Sequence, residues 1–215
     1  MTARWRANGA ERQEPKFLFA ATAVMLIASG IAPYDRLTWW LEVSWVIVLL
    51  PILMVTYRQF PLTPLLYRLL FIHAVILIIG GYYSYARVPF GFWPNEIFHW
   101  TRNNYDRFGH FFQGFVPAIL AREILIRRSP LVGSKWLPFL VMCFCLAFSA
   151  FFELIEWAAA EIYGGGATAY LATQGDPWDT QWDMLWAIIG AVMSLVTLSR
   201  VHDRQVAQVA TLVKK

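Results

Sequence analysis

Charge is what this sequence has least of. Only 15% of its 215 residues are Asp, Glu, Lys or Arg, against about 25% in an average soluble domain. At 58% hydrophobic and 17% aromatic, the composition excludes an ordinary water-soluble domain. Cysteine is scarce too, with only Cys143 and Cys145. At i, i+2 they face different sides of a helix and cannot bridge each other without distortion. They read as small core or lipid-facing residues. No HExxH or other catalytic signature occurs. A cleavable signal peptide is not expected either. The first apolar run follows a charged tail and is not trailed by a small-residue cleavage site, so it reads as an uncleaved first span.

Long apolar runs are what the sequence does have. A spanning helix needs about 20 largely apolar residues to cross ~30 Å of hydrocarbon. Residues 17–32, 39–57, 69–85, 136–159 and 183–198 meet that requirement. A sixth segment, 106–121, is short and polar. Without it the basic stretch from Arg122 to Lys135 would fall on the wrong side. The expected fold is therefore all-α, a polytopic membrane bundle of six transmembrane helices. Residues 17–199 form its single domain, between cytoplasmic tails at 1–16 and 200–215.

Basic residues set the orientation. Fourteen of the 18 Lys and Arg fall on one side, in the two tails and the loops carrying Arg58, Arg68, Arg122, Arg127, Arg128 and Lys135. Arg36, Arg87, Arg102 and Arg107 fall on the other. By the positive-inside rule both termini are cytoplasmic, in a bacterial inner membrane. The net charge of +4 is thus a topological signature, and no nucleic-acid partner is expected.

Acids distribute the other way. Asp35, Glu42, Glu96, Asp106, Glu153, Glu156, Glu161, Asp176, Asp179 and Asp183 all fall in the outer half. Acids contribute little to orientation, so the excess needs another cause. In the stretch YDRFGHFFQGF, Asp106, His110, Gln113 and Pro117 recur at i, i+4, i+7 and i+11, one face of a helix. Glu42, Glu153, Glu156 and Asp183 lie at similar depth on three other spans. At 1.5 Å per residue these groups share a layer roughly 5–10 Å below the outer face. An ionisable group in the hydrocarbon costs about 3 kcal/mol near its centre. Crowded carboxylates also repel one another. Arg36, Arg102 and Arg107 are too few to pair them all, which points to a metal ion or a polar cationic ligand, with shared protons as the alternative.

Individual residues divide on their surroundings. Asp176 before Pro177 reads as an N-cap, and Asp179 completes a capping-like pattern. Asp183 has no capping role. Glu153 and Glu156 share a face of an apolar span, where acids are functional by default. Glu123 beside Arg122 reads as surface pairing. His73 near the inner surface and His202 in the tail stay outside the acid layer, and His99 and Glu96 in the outer loop could approach it. The segment 86–104 is expected along the outer interface, with Trp93 and Trp100 in the headgroup belt. The glycine-bearing stretch 163–174 reads as a mobile lid. Gly109, Gly114, Ala118 and Ala121 give the polar helix small faces, and Pro117 is positioned to kink it. Such a helix belongs inside the bundle.

The motifs YDRFGHFFQGFVPAILARE, FFELIEW and GDPWDTQWDM together resemble the bacterial inner-membrane proteins of the YjdF type. The Asp-x-x-x-His-Phe opening also resembles, more distantly, VanZ-like membrane proteins associated with glycopeptide tolerance. The first resemblance implies a six-span inner-membrane protein and carries no established activity. Its motif residues overlap the acid layer.

Three functions fit the residues. In a metal-dependent hydrolase or transferase acting on a lipid or envelope intermediate, Asp106, His110, Glu156 and Asp183 would hold the metal. Glu153, Glu156 and Asp183 would supply catalytic carboxylates. Tyr105, Arg107, Gln113 and Asp179 would contact the ligand. Manganese, magnesium and zinc all suit one histidine among oxygens. The alternative is a carrier or accessory protein binding a cation, proton or headgroup without catalysis, although the inner half offers few polar groups for transport. The third is a structural protein whose acids pair with Arg36, Arg102 and Arg107. Membrane lipid is the expected partner.

Overall fold

Asp35 and Thr63 show how this chain starts its helices. The Asp35 carboxylate accepts from Thr38 N at 2.7 Å and begins α2 (Arg36–Thr56). Thr63, followed by Pro64 at the first helical position, begins α3 (Pro64–Tyr83). Both are side chains that satisfy amide groups the first turn leaves open. Before them lies α1 (Gly9–Ser29). Beyond Ser84, whose φ of 65° ends α3, the chain turns through 3-10 segments Tyr85–Arg87 and Pro89–Phe92 into the short α4 (Trp93–Phe98). Three long helices follow: α5 (Tyr105–Arg128), α6 (Trp136–Tyr163) and α7 (Asp179–Val213).

This is a computed structural model, and it describes residues 9–99, 101–164, 171 and 173–213. Of the residues in the sequence argument, Arg4, Arg6, Trp100, Gly165, Gly166, Lys214 and Lys215 lie outside that set. Among the described residues the chain is all-helical. Four helices, α2, α3, α6 and α7 over Asp179–Val209, are long and apolar enough to cross a membrane. By composition α1 and α5 are not. The first opens on GAERQEPK, and the second carries Asp106, Arg107, His110, Gln113, Arg122 and Glu123.

The polar helix is nevertheless the hub. α5 packs against α3, α6 and α7, and its pairing with α7 is the most extensive in the molecule. Two glycines set that closeness. A Cβ at Gly114 would overlap the Ala187 carbonyl, and one at Gly190 would overlap the Phe111 carbonyl. With no side chain at either point the two backbones meet directly, as small residues permit in helix pairs. Apolar packing surrounds the crossing. Val116 and Ile119 join Leu66 and Leu69 of α3, while Ala118 and Ala121 join Val141 and Cys145 of α6 and Ala191 of α7. Cys143 is exposed and Cys145 buried, as their spacing requires.

Several expectations change here. α3 starts five residues before 69, and Tyr85 belongs to a separate turn. α7 begins at Asp179, so Asp176 caps the preceding turn by accepting from Trp178 N at 3.0 Å. The helix then runs on past 198 as one element. Glu123 is not a surface residue. It is fully buried and accepts from Thr63 Oγ1 at 2.8 Å, Thr63 N at 3.1 Å and Arg127 Nη1 at 2.8 Å. His202, equally buried, reaches the same carboxylate through Nε2 at 3.0 Å. Arg122 Nη1 lies 2.8 Å from His202 Nδ1. A guanidinium only donates, so Nδ1 accepts and the imidazole proton sits on Nε2, pointing at Glu123. This network ties α3, α5 and α7 together at the basic end of the bundle.

Candidate functional site

The first two turns of α5 bring Asp106 and His110 onto one buried face, as i, i+4 spacing requires. The Gly114–Gly190 crossing lays the start of α7 beside them. Asp183, one turn into that helix, therefore enters the same pocket of space. One donor atom from each of Asp106, His110 and Asp183 lies within 4.8 Å of the other two, and all three residues are buried. From α6, Glu153 Oε1 stands 3.7 Å from His110 Nε2, and Asp106 Oδ1 stands 3.6 Å from the same nitrogen. The imidazole edge packs against Phe152, with centroids 5.8 Å apart.

Burial usually comes with hydrogen bonds; here it does not. His110 Nδ1, Asp183 Oδ1 and Glu153 Oε1 are buried without a hydrogen-bond partner among the described residues. Two carboxylates, an imidazole and a third carboxylate thus converge with free valence. Such a donor set fits a hard or borderline divalent cation.

Above this cluster the arginines gather. Arg102 Nη1 holds Asp179 at 2.5 Å and Asp176 at 3.3 Å, and Nη2 lies 3.8 Å from Asp106. Burial opposes the charge on Arg102, yet hydrogen bonding to Asp179 and the charges of Asp179, Asp106 and Asp183 outweigh it and raise its pKa. Arg107 takes Asp176 at 2.9 Å and lies over the Trp182 ring. Arg36 does not contribute. Its guanidinium reaches the carbonyls of Gly30 and Ile31 at the end of α1. The arginines therefore pair the outermost acids, reach Asp106 only at 3.8 Å, and leave Asp183 Oδ1 and Glu153 Oε1 without a hydrogen bond among the described residues.

Two loops are stitched over this end. Asn103 N donates to Gln174 Oε1 at 2.7 Å, and Gln174 Nε2 returns a bond to the Asn103 carbonyl at 2.9 Å. Asn103 also donates to the Val88 carbonyl and accepts from Tyr105 N. Gln174, at the end of the stretch read as a lid, is thus pinned.

The remaining expected residues fall in different places. Gln113 is buried on the α5 face that lines a cavity of about 290 Å³, together with Glu42 and Glu156. Glu156 faces that cavity and is not one of the three close donors. Tyr105 turns the other way. Its hydroxyl donates to the Ile76 carbonyl at 2.7 Å and its ring packs on Tyr85 and Phe90. Glu96 and His99 are exposed. His73, read as an inner-surface residue, lines the same cavity as His110. Tyr85, unremarked in the sequence, is wedged where side chains at Gly80 and Gly109 would stand, and lines the same cavity as Glu42. The two glycines were the available signal, and only contact between distant segments gives it meaning.

A sequence model of the DUF2238 family, described as a predicted membrane protein, matches residues 15–204. The chain is 52% identical over 182 residues to the inner membrane protein YjdF of Escherichia coli (strain K12), covering 85% of this chain and 87% of that one. The VanZ-like resemblance is not shown by these comparisons. No solved structure matches the chain.

Proposed function

The chain belongs to the DUF2238 family of predicted membrane proteins, and on that premise we propose a six-span inner-membrane metalloenzyme with both termini cytoplasmic. It hydrolyses or transfers a group on a lipid or envelope intermediate at the outer end of the bundle. Support for six spans comes from α1 and α5. Phe17, Val24 and Ile27 are exposed along α1, as lipid-facing residues would be, and α5 is enclosed by spans that shield its polar face. The orientation rests on the basic residues, which gather at the Glu123 end of the bundle.

The observation that carries the chemistry is the convergence of Asp106, His110 and Asp183, within 4.8 Å and buried, with His110 Nδ1 and Asp183 Oδ1 lacking a hydrogen-bond partner among the described residues. These three would hold the metal and polarise a substrate oxygen or bound water. Glu153, 3.7 Å from His110, is the carboxylate placed to take a proton. Glu156 contributes from the cavity wall, Gln113 and Arg107 orient the substrate, and Asp179 keeps Arg102 in place.

A carrier or accessory protein that binds a cation or headgroup without catalysis gains from one observation. The buried Glu123, His202 and Arg122 network puts polar groups in the inner half as well. That removes the one-sidedness that argued against transport.

Elemental mass spectrometry of detergent-purified protein tests the reading. Near-stoichiometric manganese or zinc, lost in both His110→Ala and Asp183→Asn while both variants stay monodisperse, is expected. A folded protein that takes up no divalent ion on reloading would overturn the metal site. A metal retained in both variants would place it elsewhere.

A further inference from the structure

The cavity beside α5 is apolar over most of its wall and acidic at one end. Leu49, Leu77 and Phe148 belong to the apolar part, and Phe19 and Tyr67 close it toward the basic end. Glu42, Asp106, Glu156, His73 and His110 line the other end, and among the described residues no Lys or Arg lines any of it. Three of the lining groups carry unanswered atoms. Glu42 Oε2, His73 Nε2 and His110 Nδ1 are buried without a hydrogen-bond partner, and Glu42 and His110 are each only 3% exposed. A buried polar group left unmet in an apolar surround is costly, and a ligand that answers it removes the cost.

Lining residues of the cavity also reach the outside of the bundle on α2 and α6. α2 packs on α3, and α6 packs on α5 and α7, but α2 and α6 are not a packed pair. Between them stands an aromatic bridge, with Trp45 4.8 Å from Phe148 and 6.3 Å from Phe151. Val48, Ile52 and Phe144 line the cavity and are exposed on the outside, where a bilayer would meet them. About 290 Å³ is near the lower bound of ligand pockets and matches something slender.

We propose that this cavity binds a single-chain amphiphile that enters from the bilayer between α2 and α6. Its hydrocarbon chain lies along Leu49, Leu77 and Phe148, and its head, an amine or alcohol, meets Glu42, Glu156 and His73. A donor head answers the unmet acceptors, whereas in chelator an anionic head would face three carboxyls with no Lys or Arg on the described wall. The inference rests on the reading of Asp106 and His110 as a ligand-facing site, and it names the substrate class. It does not depend on the metal.

The test uses a clickable hexadecylamine with a mid-chain diazirine, added to the purified full-length protein in nanodiscs, with hexadecanoic acid bearing the same groups as comparator. Photolabelling should be saturable by plain hexadecylamine, map to α2 and α6 around Leu49 and Phe148, and exceed labelling by the acid at least tenfold. Leu49→Trp and, from a different helix, Ala74→Phe should each cut it tenfold by filling the cavity. The isosteric Glu42→Gln should reduce it several-fold with an unchanged size-exclusion profile. Equal labelling by the acid, or labelling untouched by both filling variants, would overturn the proposal. Running the experiment with and without chelator separates the two readings. Saturable labelling of a protein that takes up no divalent ion on reloading refutes only the metal, and a loaded metal without saturable labelling refutes only the amphiphile.

Discussion

Replacing Glu123 by alanine should destabilise this protein more than any single change at the proposed site. The carboxylate is 0% exposed and is the common acceptor for three helices: Thr63 N and Oγ1 at the start of α3, Arg127 on α5 and His202 Nε2 on α7. Removing it strands a buried amide, a hydroxyl, an imidazole N–H and a guanidinium. Breaking a buried, hydrogen-bonded pair from one side costs about 3–5 kcal/mol. At roughly 2–4 °C per kcal/mol for a chain of this length, the melting temperature should fall by about 6–20 °C. Glu123→Gln keeps an acceptor oxygen for Thr63 but loses the charge that holds Arg127, so about half the loss is expected. Detergent-solubilised protein followed by tryptophan fluorescence through a thermal ramp gives both numbers. A Glu123→Ala shift under about 2 °C would mean that Glu123 is solvated and the network absent. A cycle of Glu123→Ala with His202→Ala sharpens this. The two share one bond, so the double variant should fall short of the sum by about 1 kcal/mol or more, and strict additivity would refute the pairing.

Gly114→Val and Gly190→Ala each drive a Cβ into a carbonyl across the α5–α7 crossing; a loss of about 1–3 kcal/mol and of metal binding together is expected in a thermal ramp with metal analysis. Normal values for both would place the helices farther apart. Arg102→Gln leaves Asp179 without its guanidinium, while Asp176 keeps Arg107, and should cost roughly 2–4 kcal/mol, near the range for a broken buried pair, measurable as a lower denaturation midpoint; an unchanged midpoint would mean water screens Asp179. Tyr105→Phe removes one hydrogen bond to the Ile76 carbonyl, about 1 kcal/mol, and should leave metal content unchanged. Loss of metal in that variant would return Tyr105 to the site.

How much of this was legible beforehand depends on the kind of signal. Helix type and approximate position came from apolar runs that only a helix can satisfy across lipid, and the inward placement of α5 from its polarity. Asp106 and His110 were paired by helical spacing, which is local. Their meeting with Asp183 needed the α5–α7 approach, and no periodicity encodes that distance. Tyr105 shows the opposite failure. It sits one residue before Asp106 in a functional-looking motif, yet 100° of helical rotation sends it to the Tyr85 cluster. Glu123 and His73 were misread for a common reason. Their depth was judged from neighbouring arginines, and Arg122, beside Glu123, is itself buried. Four residues of sequence cannot tell a surface pair from the edge of a buried network.

Seen along α5, the two polar groups acquire a relation. His110 and Glu123 are thirteen positions apart, roughly 20 Å at 1.5 Å per residue. One end satisfies its charges fully, with Glu123 met by Thr63, Arg127 and His202. The other leaves His110, Asp183 and Glu153 with open valences. Both ends involve the same three-way packing of α5 on α7 and its neighbours. A chain able to complete one buried network through these helices leaves the other incomplete where the cavity meets it. If the incompleteness served only structure, Asp183→Asn should raise stability by removing an unpaired buried charge. If it serves a bound cation, the same variant should gain stability in chelator and lose the stabilisation that added metal gives the wild type. A thermal ramp in the two buffers separates these outcomes, and the second is expected.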